Sequence, residues 1–229
     1  MEQVDIFIKK LQKVRLPHVF NPWSEYDKEH DNDSTAPQIR TLQLQEYFKI
    51  RKSQAKYILL GEALSYQGGK FTGIAMTSER ILLGNHSKVA ANLAIGNNTS
   101  RTSKISIKNK NNILGMNEPT ASIVWSSVLE NNIPAMQVVF WNIFPWHPYK
   151  QGDFLTNRTP NNKELLLGLE YFKDFMRIFN QAKVVCVGVG AKKTISRLAD
   201  NECFYLRHPA NGGANEFRDG FVKFIKSQA

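Results

Sequence analysis

The sequence predicts an α/β fold built around a mainly parallel β-sheet. Four short apolar runs, rich in β-branched and aromatic residues, have the length of buried strands. They are Tyr57–Leu60, Met136–Trp141, Val184–Val189 and Cys203–Leu206. Between them lie segments with the apolar spacing of helices, as in Pro119–Asn131 and Pro160–Phe179. Strands that alternate with helices are typical of parallel sheets with helical crossovers.

The first fifty residues are expected to form a helical extension of one domain that spans residues 1–229. The extension consists of a helix, a polar acidic loop from Pro22 to Ala36, and a second helix around Leu42–Arg51. Further along the chain, Thr159 suits the N-cap of a helix and Pro160 suits its first position. With 229 residues and 42% hydrophobic content, the chain can bury a sizeable core.

The chain is basic, with a formal net charge of +10. Residues 25–34 are acidic, whereas residues 101–110 contain only basic charges. These basic residues are Arg101, Lys104, Lys108 and Lys110. A positive charge of this size favours a polyanionic partner, because binding phosphates releases counterions. The alternative is an ordinary solvated face. Residues 95–118, rich in Asn, Lys and Gly, are expected to form an exposed, mobile loop.

The apolar runs and the cysteines bear on cellular location. The N-terminus is acidic where a signal peptide needs basic residues, and runs such as Val184–Val189 are far shorter than a membrane span. We therefore expect a soluble cytoplasmic protein, associated with the nucleoid if it is bacterial. Cys186 and Cys203 lie in apolar runs without metal-ligand spacing, and are expected to be buried, reduced thiols.

Polar segments begin where three of the predicted strands end. They cover residues 61–73, 142–160 and 208–217. Ligands of open α/β sheets bind outside the carboxyl ends of the strands, so the three segments are expected to converge on one cleft. Val187–Gly190 is interpreted as a strand-to-helix turn, because it lacks the third glycine and the acidic partner of a dinucleotide site.

These polar segments carry motifs of a known family. The motifs are Gly61-Glu62-Ala63, Gly68-Gly-Lys-Phe71-Thr-Gly73, Asn142 after an apolar run, Asn157-Arg158-Thr159-Pro160 before a helix, and His208-Pro209 after the last run. Together they resemble the uracil-DNA glycosylase superfamily, over roughly residues 55–80 and 136–225. The resemblance implies a three-layer α/β/α fold with a central, mainly parallel four-stranded sheet.

The resemblance implies catalytic roles for Glu62 and His208. Cleavage of an N-glycosidic bond passes through an oxocarbenium-like sugar, which a carboxylate such as Glu62 stabilises directly or through an oriented water. His208 would donate a hydrogen bond near O2 of the base, where negative charge develops. From the local sequence alone, the alternative for Glu62 is a carboxylate that caps the following turn, and the alternative for His208 is part of a capped loop.

Four further residues are assigned to the base. Phe71 would stack on a flipped base, or is a core aromatic. Asn142 would read the O4 and N3–H edge of uracil, or terminates a strand. Ala63 stands where the best-known branch has a water-positioning aspartate, so catalysis would rest more on Glu62. Tyr66 adjoins the slot that excludes the methyl group of thymine in that branch.

The residues expected to bind the DNA backbone are Arg158, Asn211, Gly212 and Gly213. The alternative is that Arg158 only holds its own loop, through an ion pair with a carboxylate. The segment after His208 has no large apolar wedge, which favours a single-stranded or mismatched substrate. His147 is either structural or, by analogy with one branch of the family, a nucleophile.

The sequence thus predicts a monomeric DNA glycosylase of base excision repair, which flips uracil or another deaminated base out of DNA and uses neither metal nor cofactor. Two cysteines are too few to hold the iron-sulfur cluster of the Gly-Glu-Ala branch. The alternatives are a catalytically silent nucleic-acid-binding protein with the same fold, and an α/β enzyme that processes nucleotides or sugars.

Overall fold

A sheet of four parallel strands forms the centre of the protein. The structure is a computed structural model, and it describes residues 2–96, 99–107, 110–198 and 203–228. The strands are β1 Val19–Phe20, β2 Tyr57–Ala63, β3 Ser106–Ile107, β4 Lys110–Asn111, β5 Val138–Phe144, β6 His147–Pro148, β7 Lys183–Val187 and β8 Phe204–Leu206. The α-helices are α1 Glu2–Gln12, α2 Ala36–Lys49, α3 Gly69–Thr72, α4 Glu79–Leu82, α5 Ala91–Ala94, α6 Pro119–Glu130, α7 Asn162–Ile178, α8 Val189–Ile195 and α9 Ala214–Lys226. Short 3₁₀ turns cover Ala135–Gln137 and Ser196–Leu198.

The central sheet has the strand order β5-β2-β7-β8, with every neighbouring pair parallel. Each of the four apolar runs supplies one of these strands, which confirms the predicted fold class. Two strands run further than predicted. β2 continues through Glu62 and Ala63, and β5 continues through Phe144. Asn142 therefore lies within β5, and the prediction that it directly follows the strand is wrong.

Helices cover both faces of the sheet, giving the predicted three layers. On one face, Trp141 stacks on Phe175 of α7 at 4.8 Å between ring centroids. On the other face, Phe140 packs edge-on against Trp125 of α6, also at 4.8 Å. All seven residues of β5 are buried, because a strand covered on both faces has no solvent side. None of the described helices is long and apolar enough to cross a membrane.

The long helix α7 begins two residues later than predicted. Asn161, rather than Thr159, is the N-cap: its side chain accepts a hydrogen bond from Glu164 N at 3.0 Å. The Glu164 carboxylate accepts in return from Asn161 N at 2.8 Å. This reciprocal capping box satisfies two of the free amide groups at the helix start, which fixes the boundary there.

The acidic loop between α1 and α2 has many exposed residues, but it also carries buried charged groups, Asp27 and Asp31 among them. Lys70 donates a hydrogen bond to Asp27 at 2.7 Å, and both side chains are almost completely buried. His30 Nδ1 lies 2.8 Å from the same carboxylate. Burial opposes ionisation of Asp27, but Lys70 and His30 outweigh it and hold the pKa of Asp27 below its ordinary value. A second buried pair joins Arg40 of α2 to Asp31 at 2.7 Å.

The Asn- and Lys-rich segment is also anchored more firmly than predicted. Of residues 95–118, the structure describes all but 97, 98, 108 and 109, so the predicted basic residue Lys108 lies outside the described part. Thr102 and Ser103 are fully buried, and their backbone amides donate to Glu79 Oε1 at 2.8 and 2.9 Å. This carboxylate fixes the base of the short β3–β4 hairpin.

Cys186 and Cys203 form a disulfide, so the prediction of reduced thiols is wrong. Cys186 lies in β7, and Cys203 immediately precedes β8, which pairs with β7. The pairing brings the two Cα atoms to 6.2 Å, within the range that a disulfide spans. The sequence does not reveal that these two strands are neighbours, so the proximity of the thiols was not predictable.

We predict that Lys70→Met lowers the free energy of unfolding by about 3–5 kcal/mol, because it leaves the Asp27 carboxylate buried without its cation. Urea denaturation followed by circular dichroism would measure the loss, and the double variant with Asp27→Asn should recover part of it. Lys173→Met, which breaks the exposed Lys173–Glu170 pair, should lower stability by less than about 1 kcal/mol. Equal losses of unfolding free energy in Lys70→Met and Lys173→Met would contradict the prediction.

Candidate functional site

The described residues enclose a cleft of about 520 Å³ at the carboxyl ends of the central strands. Its walls come from the end of β2 and the loop after it, from β5, from the turn between β7 and α8, and from the loop after β8. The three polar segments therefore converge as predicted. Of the predicted site residues, the cleft brings together Glu62, Ala63, Asn142, Arg158, His208 and Asn211.

Glu62 is half-buried against the first turn of α8. A Cβ atom at Gly190 would overlap Glu62 Oε1, so the carboxyl group lies directly on the Gly190 backbone. Burial raises the pKa of Glu62 above its ordinary value. Within the described part of the chain its carboxylate has neither a hydrogen bond nor an ion pair. A carboxylate that is partly desolvated and unpaired at a cleft wall is available as a base or for electrostatic stabilisation.

Asn142 enters the cleft from the other side of the sheet. Its strand partner is Gly61, and a Cβ atom there would overlap Asn142 Oδ1. Side chains alternate along a strand, so Asn142 shares the face of Phe140, whereas Glu62 points to the face opposite that of Gly61. Asn142 is buried, and no hydrogen bond to another described residue occupies its amide. Its donor and acceptor are therefore available to a ligand.

His208 has a defined tautomer. Its Nδ1 accepts a hydrogen bond from Ala210 N at 3.1 Å, so in the neutral ring the proton is on Nε2. Burial, together with the positive charge of Arg207, lowers the pKa of His208, and the ring is neutral at pH 7. Gly188, with a φ of 93°, brings the backbone turn after β7 against the imidazole.

Two of the predicted base-binding residues lie outside the cleft lining. Phe71 is fully buried in a small cluster with Ile107 and Met116, and Lys70 Nζ lies 4.0 Å from its ring centroid. Tyr66 packs at the edge of that cluster. The fourth predicted residue, Ala63, does line the cleft. Phe71 is therefore placed as a core aromatic residue, which was the alternative interpretation of its role. Its stacking on a flipped base stays a prediction.

Of the residues predicted to bind the DNA backbone, two line the cleft and two do not. Arg158 lines the cleft, but its guanidinium forms a double ion pair with Glu164, at 2.6 and 2.7 Å. Asn211 lines the cleft and is exposed. Gly212 is exposed beyond the lining, and Gly213 is buried beneath the His208 carbonyl group, which a Cβ atom would overlap.

His147 has a structural position. It is completely buried, with Nδ1 3.0 Å from the Leu64 carbonyl oxygen and Nε2 3.0 Å from that of Phe154. Burial lowers its pKa to about 4, so the ring is neutral and donates one hydrogen bond. Because the neutral ring has one N–H, it donates to only one of these two carbonyl oxygens, and the imidazole itself is not among the residues that line the cleft.

Several residues that line the cleft were not assigned from the sequence, and three of them bear on its functional groups. Gly188 and Gly190 make room for His208 and Glu62, although their turn was interpreted only as a connection. Glu118, the residue before α6, also lines the cleft. A glutamate before proline at a helix start reads as an ordinary cap, so only the tertiary structure identifies it. Among the described residues, no group of three His, Cys, Asp or Glu side chains is placed to hold a metal ion.

The parallel β5-β2-β7-β8 sheet between two helical layers defines a uracil-DNA glycosylase-like fold. Wild-type SMUG2 from Pedobacter heparinus, whose crystal structure is known, shares this fold with a TM-score of 0.64. The two proteins are 13% identical, and the alignment covers 99% of this chain and 97% of that chain, so it includes the N-terminal helices. Neither a protein-family model nor a curated protein matches the sequence.

We predict that Gly190→Ala displaces the Glu62 carboxylate while the fold stays intact. The new methyl group overlaps Glu62 Oε1, which lies at the end of a flexible side chain, and alanine favours helix α8 by about 1 kcal/mol over glycine. NMR titration of the glutamate carboxyl groups should show the pKa of Glu62 falling towards its ordinary value. Gly96→Ala, whose Cβ meets only Glu46 Oε1 at 3.6 Å, is the control. An unchanged Glu62 pKa in Gly190→Ala would contradict the placement.

Proposed function

We propose that the protein is a DNA glycosylase that hydrolyses the N-glycosidic bond of uracil or another deaminated base. One observation carries the proposal: Glu62, Asn142 and His208 line one cleft, each with free hydrogen-bonding capacity and each at the carboxyl end of a strand of a glycosylase-like fold. Because a base within a duplex is inaccessible to such a cleft, the nucleotide would enter it flipped out of the stack.

The proposed reaction divides the labour among these three residues. Asn142 binds the –NH–C=O edge of the base through its amide. The bond between C1′ and the base nitrogen breaks with its electron pair going to the base. His208 Nε2–H donates to the base oxygen on which negative charge develops. Glu62 stabilises the oxocarbenium-like sugar and accepts a proton from the water that attacks C1′, while the departing base takes up a proton from solvent.

The charges of the cleft suit this scheme at neutral pH. The raised pKa of Glu62 makes it a better proton acceptor than an exposed glutamate, provided that it is ionised. The lowered pKa of His208 keeps the imidazole neutral, with its proton on the nitrogen that can face the base. Arg207 precedes His208 in the chain, and the exposed Lys192 and Lys193 follow Gly190 in α8, so these cations would offer positive charge to a DNA backbone.

A catalytically silent DNA-binding protein is the second candidate, favoured by one feature. Ala63 lines the cleft with a methyl group at the position where the best-known family branch carries its water-positioning aspartate. Such a protein would keep the cleft and the basic surface, and would bind DNA without forming abasic sites.

We predict that Glu62→Gln lowers the single-turnover rate of base excision by about 10²–10⁴-fold, because the amide cannot accept a proton. His208→Ala should lower it by about 10²–10³-fold through loss of the donor to the base oxygen. The assay uses end-labelled oligonucleotides that contain uracil or hypoxanthine, single- and double-stranded, with alkaline cleavage of abasic sites. Circular dichroism and fluorescence anisotropy would verify that fold and DNA affinity are retained.

Glu170→Gln, at an exposed position on α7, is the matched control and should react at the wild-type rate. Unaltered rates in both cleft variants would refute the assigned roles. If the wild-type protein binds the oligonucleotides but forms no abasic site with any base tested, the result would favour the silent DNA-binding protein.

A further inference from the structure

A second carboxyl group, that of Glu118, lines the cleft in addition to Glu62. Glu118 immediately precedes helix α6 and is only 6% exposed. The proposed reaction gives it no role. Its position is nevertheless well defined, because Trp125 of the same helix packs on Phe140 and donates to Thr77 Oγ1 at 3.2 Å.

The carboxyl group of Glu118 is buried without a partner. Oε2 is sealed from solvent and makes no hydrogen bond. Although Glu118 occupies an N-cap position, its side chain accepts nothing from the first turn of α6. No cation of the described chain pairs with it. Of the two carboxyl oxygens only Oε2 is sealed in this way, and the residue as a whole lines the cleft.

The loop after β2 makes space for this group. A Cβ atom at Gly68 would overlap Glu118 Oε2, so any other residue at that position would force the carboxyl group to move. A buried polar atom without a partner is unfavourable unless something else supplies the partner. Gly68 thus leaves room for a buried Glu118 carboxyl group that no hydrogen bond within the described protein stabilises.

Burial raises the pKa of Glu118 to about 8, so the group is a neutral carboxylic acid at pH 7. The charged or titratable groups that share the cleft with it are Glu62, Arg158 and His208, and burial is the only identified cause of the shift. A neutral carboxylic acid carries a proton and can donate a hydrogen bond, as a carboxylate cannot.

Glu118 lies on the base-reading side of the cleft. Helix α6 covers the face of the sheet onto which Phe140 points, and Asn142, two residues further along β5, points to the same face. Glu62 and the turn at Gly190 lie on the opposite face. The position of Glu118 therefore groups it with the amide that recognises the base rather than with the carboxylate that acts on the sugar.

We propose that Glu118 is a base-recognising residue, whose carboxylic acid proton is donated from Oε1 to a carbonyl oxygen of the base held by Asn142. The inference rests on the proposed function. It also specifies the substrate class, because a donor at this position pairs with a carbonyl oxygen and opposes an amino group. Deamination makes this replacement of amino by carbonyl when cytosine becomes uracil or adenine becomes hypoxanthine.

The first test is the pH dependence of single-turnover excision between pH 6 and pH 10. In the wild-type protein, the rate should fall about tenfold per pH unit above about pH 8, as Glu118 loses its proton. In Glu118→Gln, an amide donor replaces the acid, and this alkaline fall should disappear. Glu118→Leu, which removes the donor, should be about 10- to 100-fold slower throughout. Glu130→Gln, at the far end of the same helix, should keep the wild-type profile.

The second test separates this inference from the proposed function, because it needs no turnover. Oligonucleotides that carry a 2′-fluorinated, uncleavable deoxyuridine or deoxyinosine are compared with an abasic control. The wild-type preference for the base over the abasic site should weaken from pH 7 to pH 9.5, stay constant in Glu118→Gln, and be lost in Glu118→Leu. If this pattern appears without any excision, the inference holds and the glycosylase proposal fails.

A stability measurement excludes a merely structural role. A carboxyl group whose pKa is raised on folding stabilises the protein only at low pH, and that contribution is lost between its unfolded value near 4.5 and about pH 8. The melting temperature of Glu118→Gln relative to wild type should therefore rise from pH 5 to pH 8. Lower stability of Glu118→Gln at every pH, or excision with an alkaline fall that persists in Glu118→Gln, would overturn the proposal.

Discussion

The buried ion pair between Lys70 and Asp27 joins the segment that follows β2 to the N-terminal region of the molecule. Lys70 lies in the short helix α3, eight residues beyond Glu62, and Asp27 belongs to the loop between α1 and α2. With Arg40 and Asp31, the pair fastens the N-terminal fifty residues beneath the loop that shapes one wall of the cleft. Two acidic residues of the N-terminal region, Asp27 and Asp31, are therefore paired with buried cations, while others such as Glu29 and Asp33 face solvent.

The cleft is defined as much by missing side chains as by the functional groups. Gly61, Gly68, Gly188 and Gly190 each lie against one of its polar side chains, where a Cβ atom would touch or overlap it. Glu62 and Asn142 project from opposite faces of adjoining strands, so glycines on both sides are needed for both groups to reach the same space. The same principle accounts for the two unpaired carboxyl groups: backbone provides room for them without providing partners.

The sequence was sufficient for the parts of the fold that depend on local pattern. Four buried parallel strands, helix α6 and the convergence of three loops follow from apolar runs and from where they end. The rest depends on contacts between distant residues. Cys186 and Cys203 meet only because β7 and β8 are neighbours, and Asp27 is buried only because Lys70 reaches it. Phe71 matches a family motif, yet its environment in this chain is a core cluster that no local pattern specifies.

The disulfide has a topological consequence. Cys186 and Cys203 are 17 residues apart, and they enclose the turn at Gly188 and Gly190 together with helix α8 in a covalent ring. His208 follows just outside this ring. A protease that cuts the chain between the two cysteines would therefore leave two polypeptides that remain joined while the bridge is oxidised, with the histidine segment still tethered to the sheet. Reduction would remove this covalent link, and only non-covalent contacts such as the β7–β8 pairing would then hold the two pieces together.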